Sequence, residues 1–327
     1  SFLESEKTRQ IAFKASKEWL SQGARKSGMY KGQKRPFCLD LNHAEENLFE
    51  MIRTRALTHF EINKIKWHDG HNGKPSNHLC DSQVCCVNFL FPFANKPELL
   101  ASLLRPMFPT LKSILPLGSG QYVTFEWIGK DNYLGERVRG KGQRTRGANF
   151  TSADAAVFFE RSDNKRQIVL IEWKYTESYN GTPFQVAPSG TDRRDIYRHV
   201  FDAEDCPLKK DLLPSYDSLF FEPFYQFMRQ QFLAHKMEAA HELGAEVVSV
   251  LHIAPEHNKE FRRVTSPGLR FLDSSATGVW KKLVREPDRF TSVHTEQLFA
   301  DVLNSPLPEL KAWQDYVGQR YCWICEL

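Results

Sequence analysis

Apolar and polar positions alternate with two different periods along this chain, and the change of period divides it. Over residues 43–66, Leu48, Ile52, Ala56 and Phe60 stand four apart. That spacing lines up one face of a helix, and residues 1–22 also read as helical. Residues 67–79 are polar and rich in Gly, Pro, Asn and His, which predicts a loop. Helical or buried segments follow at 81–91 and 97–105, and Pro106, Pro109 and Pro116 then break the chain. The middle is different. Residues 121–128, 153–160 and 167–174 are rich in β-branched and aromatic residues and predict three strands. Ser162 to Lys165 joins the last two as a hairpin turn. The third strand is apolar on both faces, which predicts a central position in a sheet. A long irregular stretch, 176–220, leads to a helix over 222–243, with Phe224, Met228, Phe232 and Ala239 as its apolar face and Gly244 ending it. A fourth strand spans 246–253. The tail, 256–327, includes a last helix bearing Leu310, Trp313, Tyr316 and Val317. There is no internal repeat and no low-complexity segment.

Composition narrows the class. The chain has 327 residues, 41% hydrophobic and 26% charged, with 24 Phe to fill a core. That is ordinary for a water-soluble globular protein of one large domain or two small ones. The longest mostly apolar run, residues 84–94, carries Asn88 and Pro92 and is far short of the ~20 residues a membrane span needs. The charged start, with no apolar stretch behind it, argues against a secretory signal. Seven cysteines, an odd number, make no disulfide scaffold, so a reducing cytoplasm is expected. Charge is unevenly spread. The net value is only +4, but residues 1–40 hold nine Lys/Arg against four Asp/Glu. Arg137, Arg139, Lys141, Arg144 and Arg146 form a second cluster with no acid among them. Such clusters, rather than global charge, meet a phosphate backbone.

The chemistry concentrates on two strands. Asp154 opens one; Glu172 and Lys174 close the next, separated by Trp173. Strand side chains alternate, so Glu172 and Lys174 project from one face, and a hairpin can bring Asp154 beside them. Two carboxylates and an amine at strand ends suit a hard divalent cation such as Mg²⁺. The cation would acidify a water, and Lys174 would orient that water or stabilise charge in the transition state. The other reading is a buried salt bridge. Two more acid-x-Lys pairs, Asp163/Lys165 and Glu309/Lys311, fall in a polar turn and a surface helix and read as solvated.

Asp154 with Glu172-x-Lys174, in the order helix, three strands, helix, strand, resembles the PD-(D/E)XK nuclease superfamily. Thr151 to Ala155, Ile171 to Glu177 and Asp81 to Asn88 are similar to a family of bacterial restriction-type endonucleases within it. Ala153 stands where the superfamily's name has Pro. The resemblance implies an α/β fold: a restriction-endonuclease-like α-β-β-β-α-β core with a mixed sheet flanked by helices. That core would span 78–255, with helical additions over 1–77 and 256–327. It also implies Mg²⁺-dependent hydrolysis of DNA, with Mn²⁺ able to substitute, and a role in prokaryotic defence. Asp154 and Glu172 would be the metal ligands and Lys174 the catalytic amine. An RNase, a repair nuclease or a catalytically silent nucleic-acid-binding subunit are the alternatives. A homodimer or a partner protein of a defence system is compatible with all of these.

Supporting residues follow. Glu126, in the first strand, is a candidate third metal ligand. Gln83, at a helix start, is a candidate site residue. Gln226, Arg229 and Gln230 share a helical face by spacing and are candidates to meet the site or nucleic acid. Glu46 and Glu50 read as surface charges. The basic loop is a candidate phosphate contact, and Arg25, Lys26, Lys31, Lys34 and Arg35 extend that track. His68, His71, His78 and Cys80, or Cys322 and Cys325, offer zinc-type ligands, but without a paired CxxC the bland reading is preferred. No P-loop, GxSxG or strand-borne GxGxxG is present, so nucleotide-hydrolase, serine-hydrolase and dinucleotide readings have no support.

Overall fold

The structure is a computed structural model that describes residues 1–118, 120–136, 144–148 and 150–325. Its centre is a six-stranded mixed sheet. Following a small hairpin of β1 (Gly28–Tyr30) and β2 (Gln33–Arg35), the sheet takes β3 (Leu111–Leu115), β4 (Thr124–Trp127), β5 (Ala153–Arg161), β6 (Arg166–Trp173), β7 (Val247–Ala254) and β8 (Phe290–His294). Its order is β3-β5-β6-β7-β8, and β4 pairs with β5 beyond the end of β3. Pairing is antiparallel from β3 and β4 through β6, and parallel from β6 to β8. The strand expected to be central, β6, is central. It is buried from Gln167 to Trp173 because both of its faces are covered.

Helices cover the two faces. On one side lie α1 (Phe2–Ala15), α2 (Glu50–Ile62), α3 (Ser82–Leu90), α4 (Pro97–Leu104), α8 (Thr295–Asn304) and α9 (Lys311–Arg320), packed on Val157, Phe159, Val169 and Ile171. On the other lie α5 (Arg193–Phe201), α6 (Phe224–Ala239) and α7 (Ala276–Leu283), packed on Ala156, Phe158, Ile168 and Leu170. Helix α3 is buried from Gln83 to Leu90, so its sequence is apolar all round rather than striped. Asp81 starts it by accepting the backbone N–H of Val84 (2.8 Å).

Several boundaries differ from the sequence reading. The first helix stops at Ala15, where Ser16 turns extended. The expected 43–66 helix is a short turn over 41–47, an extended Leu48, and then α2. The break is tied to Asn47, whose buried amide donates to Ser76 and His78 carbonyls. Strand β3 lies between Pro109 and Pro116, which sit just outside it, so the prolines bound an edge strand rather than a loop. Helix α5, capped by Asp192, occupies part of the stretch read as irregular. Helix α6 ends at Ala239, which is exposed, and His241 and Leu243 then take left-handed conformations before Gly244. The tail is not only helical, because β8 joins the sheet.

Arg320 ties the terminal segments together. It is 1% exposed and donates to the Asn47 carbonyl (2.6 Å), the Leu79 carbonyl (3.1 Å) and Gln10 (3.3 Å). Its guanidinium therefore joins α1, the turn before α2, the approach to α3, and α9. Breaking such a network leaves buried carbonyls unpaired, at about 3–5 kcal/mol. Arg320→Met should lose that much in urea unfolding, whereas Lys311→Met, which removes only an exposed pair with Asp315, should change stability by less than ~0.5 kcal/mol.

Candidate active site

Register brings the candidate residues together. In the β5–β6 ladder Ala155 faces Ile171, so Asp154 stands opposite Glu172. In the β4–β5 ladder Phe125 faces Ala155 and Trp127 faces Ala153, so Glu126 stands opposite Asp154. Three carboxylates thus occupy three neighbouring strands at one level. The backbone N–H of Lys174 donates to the Ile253 carbonyl (2.8 Å), carrying the β6–β7 pairing one residue further. Its Nζ lies 2.6 Å from Glu172 Oε1, and the two side chains are only 8% and 5% exposed. These residues form the floor of a cleft of about 590 Å³, which also takes in Gln83, Gln226, Arg229 and Gln230.

The charges are unbalanced. Burial, reinforced by the neighbouring Glu172, pushes the Asp154 carboxyl well above the usual carboxylate range. Burial also raises Glu126, despite hydrogen bonds from Ser152 and Gln83. Burial works against the charge of Lys174, but Glu172, Tyr179, Asp154 and Glu177 outweigh it and hold the ammonium charged. Glu172 pairs with that ammonium, so ionising all three carboxyl groups would leave a deficit of positive charge.

The donor set fits a hard cation. Asp154 Oδ2 accepts the Trp173 N–H (2.7 Å) and Glu172 Oε1 accepts Lys174, which leaves a second oxygen on each carboxylate. Among the described residues, no group of three or more His, Cys, Asp or Glu converges to hold an ion, the zinc-type candidates included. Mg²⁺ suits a pair of carboxylates because it keeps several waters and takes phosphate oxygens.

The supporting residues form a brace. Gln83 Nε2 donates to Glu126 Oε1 (2.7 Å) and Ser152 Oγ to Glu126 Oε2 (2.6 Å). Both oxygens of Glu126 are therefore engaged by protein donors. Gln230 Nε2 donates to the Ser152 carbonyl (2.5 Å), and Arg229 Nε to Thr151 Oγ1 (2.9 Å). Gln226 lines the cleft, and its Oε1 has no partner among the described residues. Glu126 itself adopts φ of +50°, a left-handed conformation that costs a non-glycine residue about 1–3 kcal/mol. Gly147 (φ +74°) lies against it: a Cβ there would meet the Lys66 carbonyl at 2.6 Å and Glu126 Cγ at 3.4 Å.

The basic loop divides. Arg137, Arg139 and Lys141 lie outside the described residues. Arg144 donates to the carbonyls of Ile128 (2.5 Å) and Gly129 (3.0 Å). Arg146 donates to the Glu126 carbonyl (3.0 Å), Thr124 Oγ1 (2.6 Å) and the Phe125 carbonyl. Both guanidiniums latch the loop to β4 and its continuation. Of the basic N-terminal residues, Lys31 lines the cleft and pairs with Asp69 at 3.0 Å. Two residues went unnoticed in the sequence. Ser152 is a small polar residue two places before Asp154. Glu222, just before α6, has a buried Oε2 without a partner among the described residues. Neither carries a spacing signal that would have singled it out.

A mixed sheet flanked by helices, with Asp154 and Glu172-x-Lys174 at its centre, defines a restriction-endonuclease-like protein. The chain belongs to the family described as Restriction Endonuclease associating with ARP, which matches residues 7–322. No curated protein and no solved structure matches it.

Glu222 gives the site a pH signature. Burial raises its carboxyl to about 7, against the pull of Lys174 and Arg229. A carboxyl raised on folding costs stability as it ionises, so wild type should lose stability as pH rises from about 4.5 through 7. The scale is about 3 kcal/mol, taking 1.36 kcal/mol per unit. Glu222→Gln should flatten the slope by that amount, and the two proteins should converge below pH ~4.5 in thermal or urea unfolding.

Proposed function

We propose that this protein is a Mg²⁺-dependent endonuclease that hydrolyses DNA phosphodiester bonds, acting in prokaryotic defence. The observation that carries the reading is the facing pair Asp154 and Glu172 with the Lys174 ammonium 2.6 Å from Glu172, all at the floor of one cleft. A hydrophobic sheet centre does not hold three carboxylates at small cost unless something positive is brought to them. Asp154 and Glu172 would hold the cation. When bound, Mg²⁺ would supply Lewis-acid stabilisation of a phosphoryl oxygen and an acidified water. Lys174 holds its proton and presents a fixed positive charge to the phosphate as negative charge builds. Gln83 and Ser152 keep Glu126 in place, and Gln230 keeps Ser152 in place. Arg229 and Lys31, which line the cleft, contribute attraction for the phosphate backbone. The family's description names an association with ARP, which makes ARP the first partner to test.

Plasmid, linear DNA and RNA incubated with Mg²⁺, Mn²⁺ or EDTA test the reading. Cleavage of DNA, abolished by EDTA, is the expected result. Cleavage of RNA alone would make it a ribonuclease, and binding without cleavage a silent subunit. Lys174→Met keeps the volume and removes the charge. Single-turnover cleavage should fall at least ~10²-fold, the usual scale for one positioned electrostatic group, while DNA binding in Ca²⁺ survives. A rate within about threefold of wild type would reduce Lys174 to a neutralising partner of Glu172.

A further inference from the structure

A phosphodiester hydrolase must also manage the oxygen that leaves, because a departing alkoxide is far more basic than water at neutral pH can relieve. The carboxylates and Lys174 address the attacking side and the phosphoryl charge. With a cation bound, Asp154 and Glu172 would be held ionised as its ligands, and Lys174 is held charged among four groups that keep its proton. A proton donor has to come from elsewhere in the cleft.

Two histidines among the described residues line it, His68 and His78. They differ in environment. The His78 ring is packed between Tyr30 and Phe37, and its Nδ1 accepts the Cys80 N–H (3.0 Å). Burial lowers it to about 4, so it is neutral at pH 7. His68 is about 70% exposed at the lip of the cleft, which allows exchange of its proton with solvent. Its Nδ1 lies 3.9 Å from Asp81 Oδ2, an ion-pair distance. Its backbone N–H donates to Gln83 Oε1 (2.8 Å), and the same Gln83 holds Glu126. Asp81 in turn is fixed as the cap of α3. Gln83 thus anchors the backbone of His68, and Asp81 stands at ion-pair distance from its ring.

We propose that His68 is the general acid of the reaction, giving its Nε2 proton to the leaving oxygen; this rests on reading the cleft as a phosphodiester hydrolase. The attacking water bonds through oxygen to phosphorus and gives one proton to solvent. The bond from phosphorus to the leaving oxygen breaks, and that oxygen takes the His68 proton. The imidazole then recovers a proton from solvent. The charged groups that face it agree with this role. Asp81 raises the imidazole above its ordinary value, against burial, and Asp69 and Glu126 act in the same direction. Lys31, the nearby cation, is paired with Asp69.

The test compares oxygen and sulfur leaving groups. A duplex with bridging sulfur at the cut position, in separate 3′ and 5′ versions, releases a thiolate that needs no proton. In single-turnover assays with Mg²⁺, His68→Ala should lose about 10²-fold on the all-oxygen duplex. On the sulfur-bridged duplex it should stay within about threefold of wild type. An equal loss on both substrates, or no loss on either, would overturn the assignment. Asp81→Asn keeps the helix cap and removes the charge. It should move the alkaline limb of the pH–rate profile down by ~1 unit, with DNA binding in Ca²⁺ unchanged. An unmoved limb would also overturn it. Wild type that cleaves neither duplex would overturn the proposed function itself, and this inference with it.

Discussion

The structure depends on a concentration of like charge. Glu126, Asp154 and Glu172 occupy facing positions on β4, β5 and β6, and Lys174 pairs with Glu172 at that level. Ionised carboxylates this deeply buried repel one another and lose their hydration. Such an arrangement persists only if the surrounding structure over-determines it. The brace from α3 and α6 does so, through Gln83 and Ser152 on Glu126 and Gln230 on Ser152.

The rest of the fold can be read as support for that level of the sheet. Two apolar cores grip β5 and β6 from both faces, so the strands cannot slide without exposing Val157, Ile168 or Leu170. The strand end carrying Lys174 is held as well. Tyr175, the next residue, donates to Glu6 (2.5 Å) and accepts from Gln10 (3.2 Å), both on α1. Asn258, after β7, donates to the Tyr175 and Glu177 carbonyls (2.9 Å each). Segments far from Glu172 and Lys174 in sequence therefore converge on the residue beside them. The N-terminal helix and the C-terminal α9 share Arg320, so this support is continuous with the packing of the termini.

Much of the fold was legible in the residues. The apolar run of β6 announced a central strand, and the Ser162 to Lys165 turn announced the hairpin that sets Asp154 opposite Glu172. The edge strand β3, the helix α5 and the strand β8 were not legible. They are short, and they are stabilised by what they pack or pair against rather than by a strong local period. Spacing placed Gln226, Arg229 and Gln230 on one face of α6, as candidates to meet the site or nucleic acid. They face the cleft because α6 is covered on more than one side.

The sequence by itself determined the chemistry available: which acids and which amine end the central strands, and in what alternation. Alternation is a local property of extended backbone, so it needs no tertiary knowledge. Only the tertiary structure decided how those groups are shared. It turned Arg144 and Arg146 inward onto carbonyls at and just beyond β4. It engaged both oxygens of Glu126 with Gln83 and Ser152, and it set His68 beside Asp81 at the lip of the cleft. Those outcomes depend on hydrogen bonds between segments brought together by packing, and no spacing along one segment encodes them.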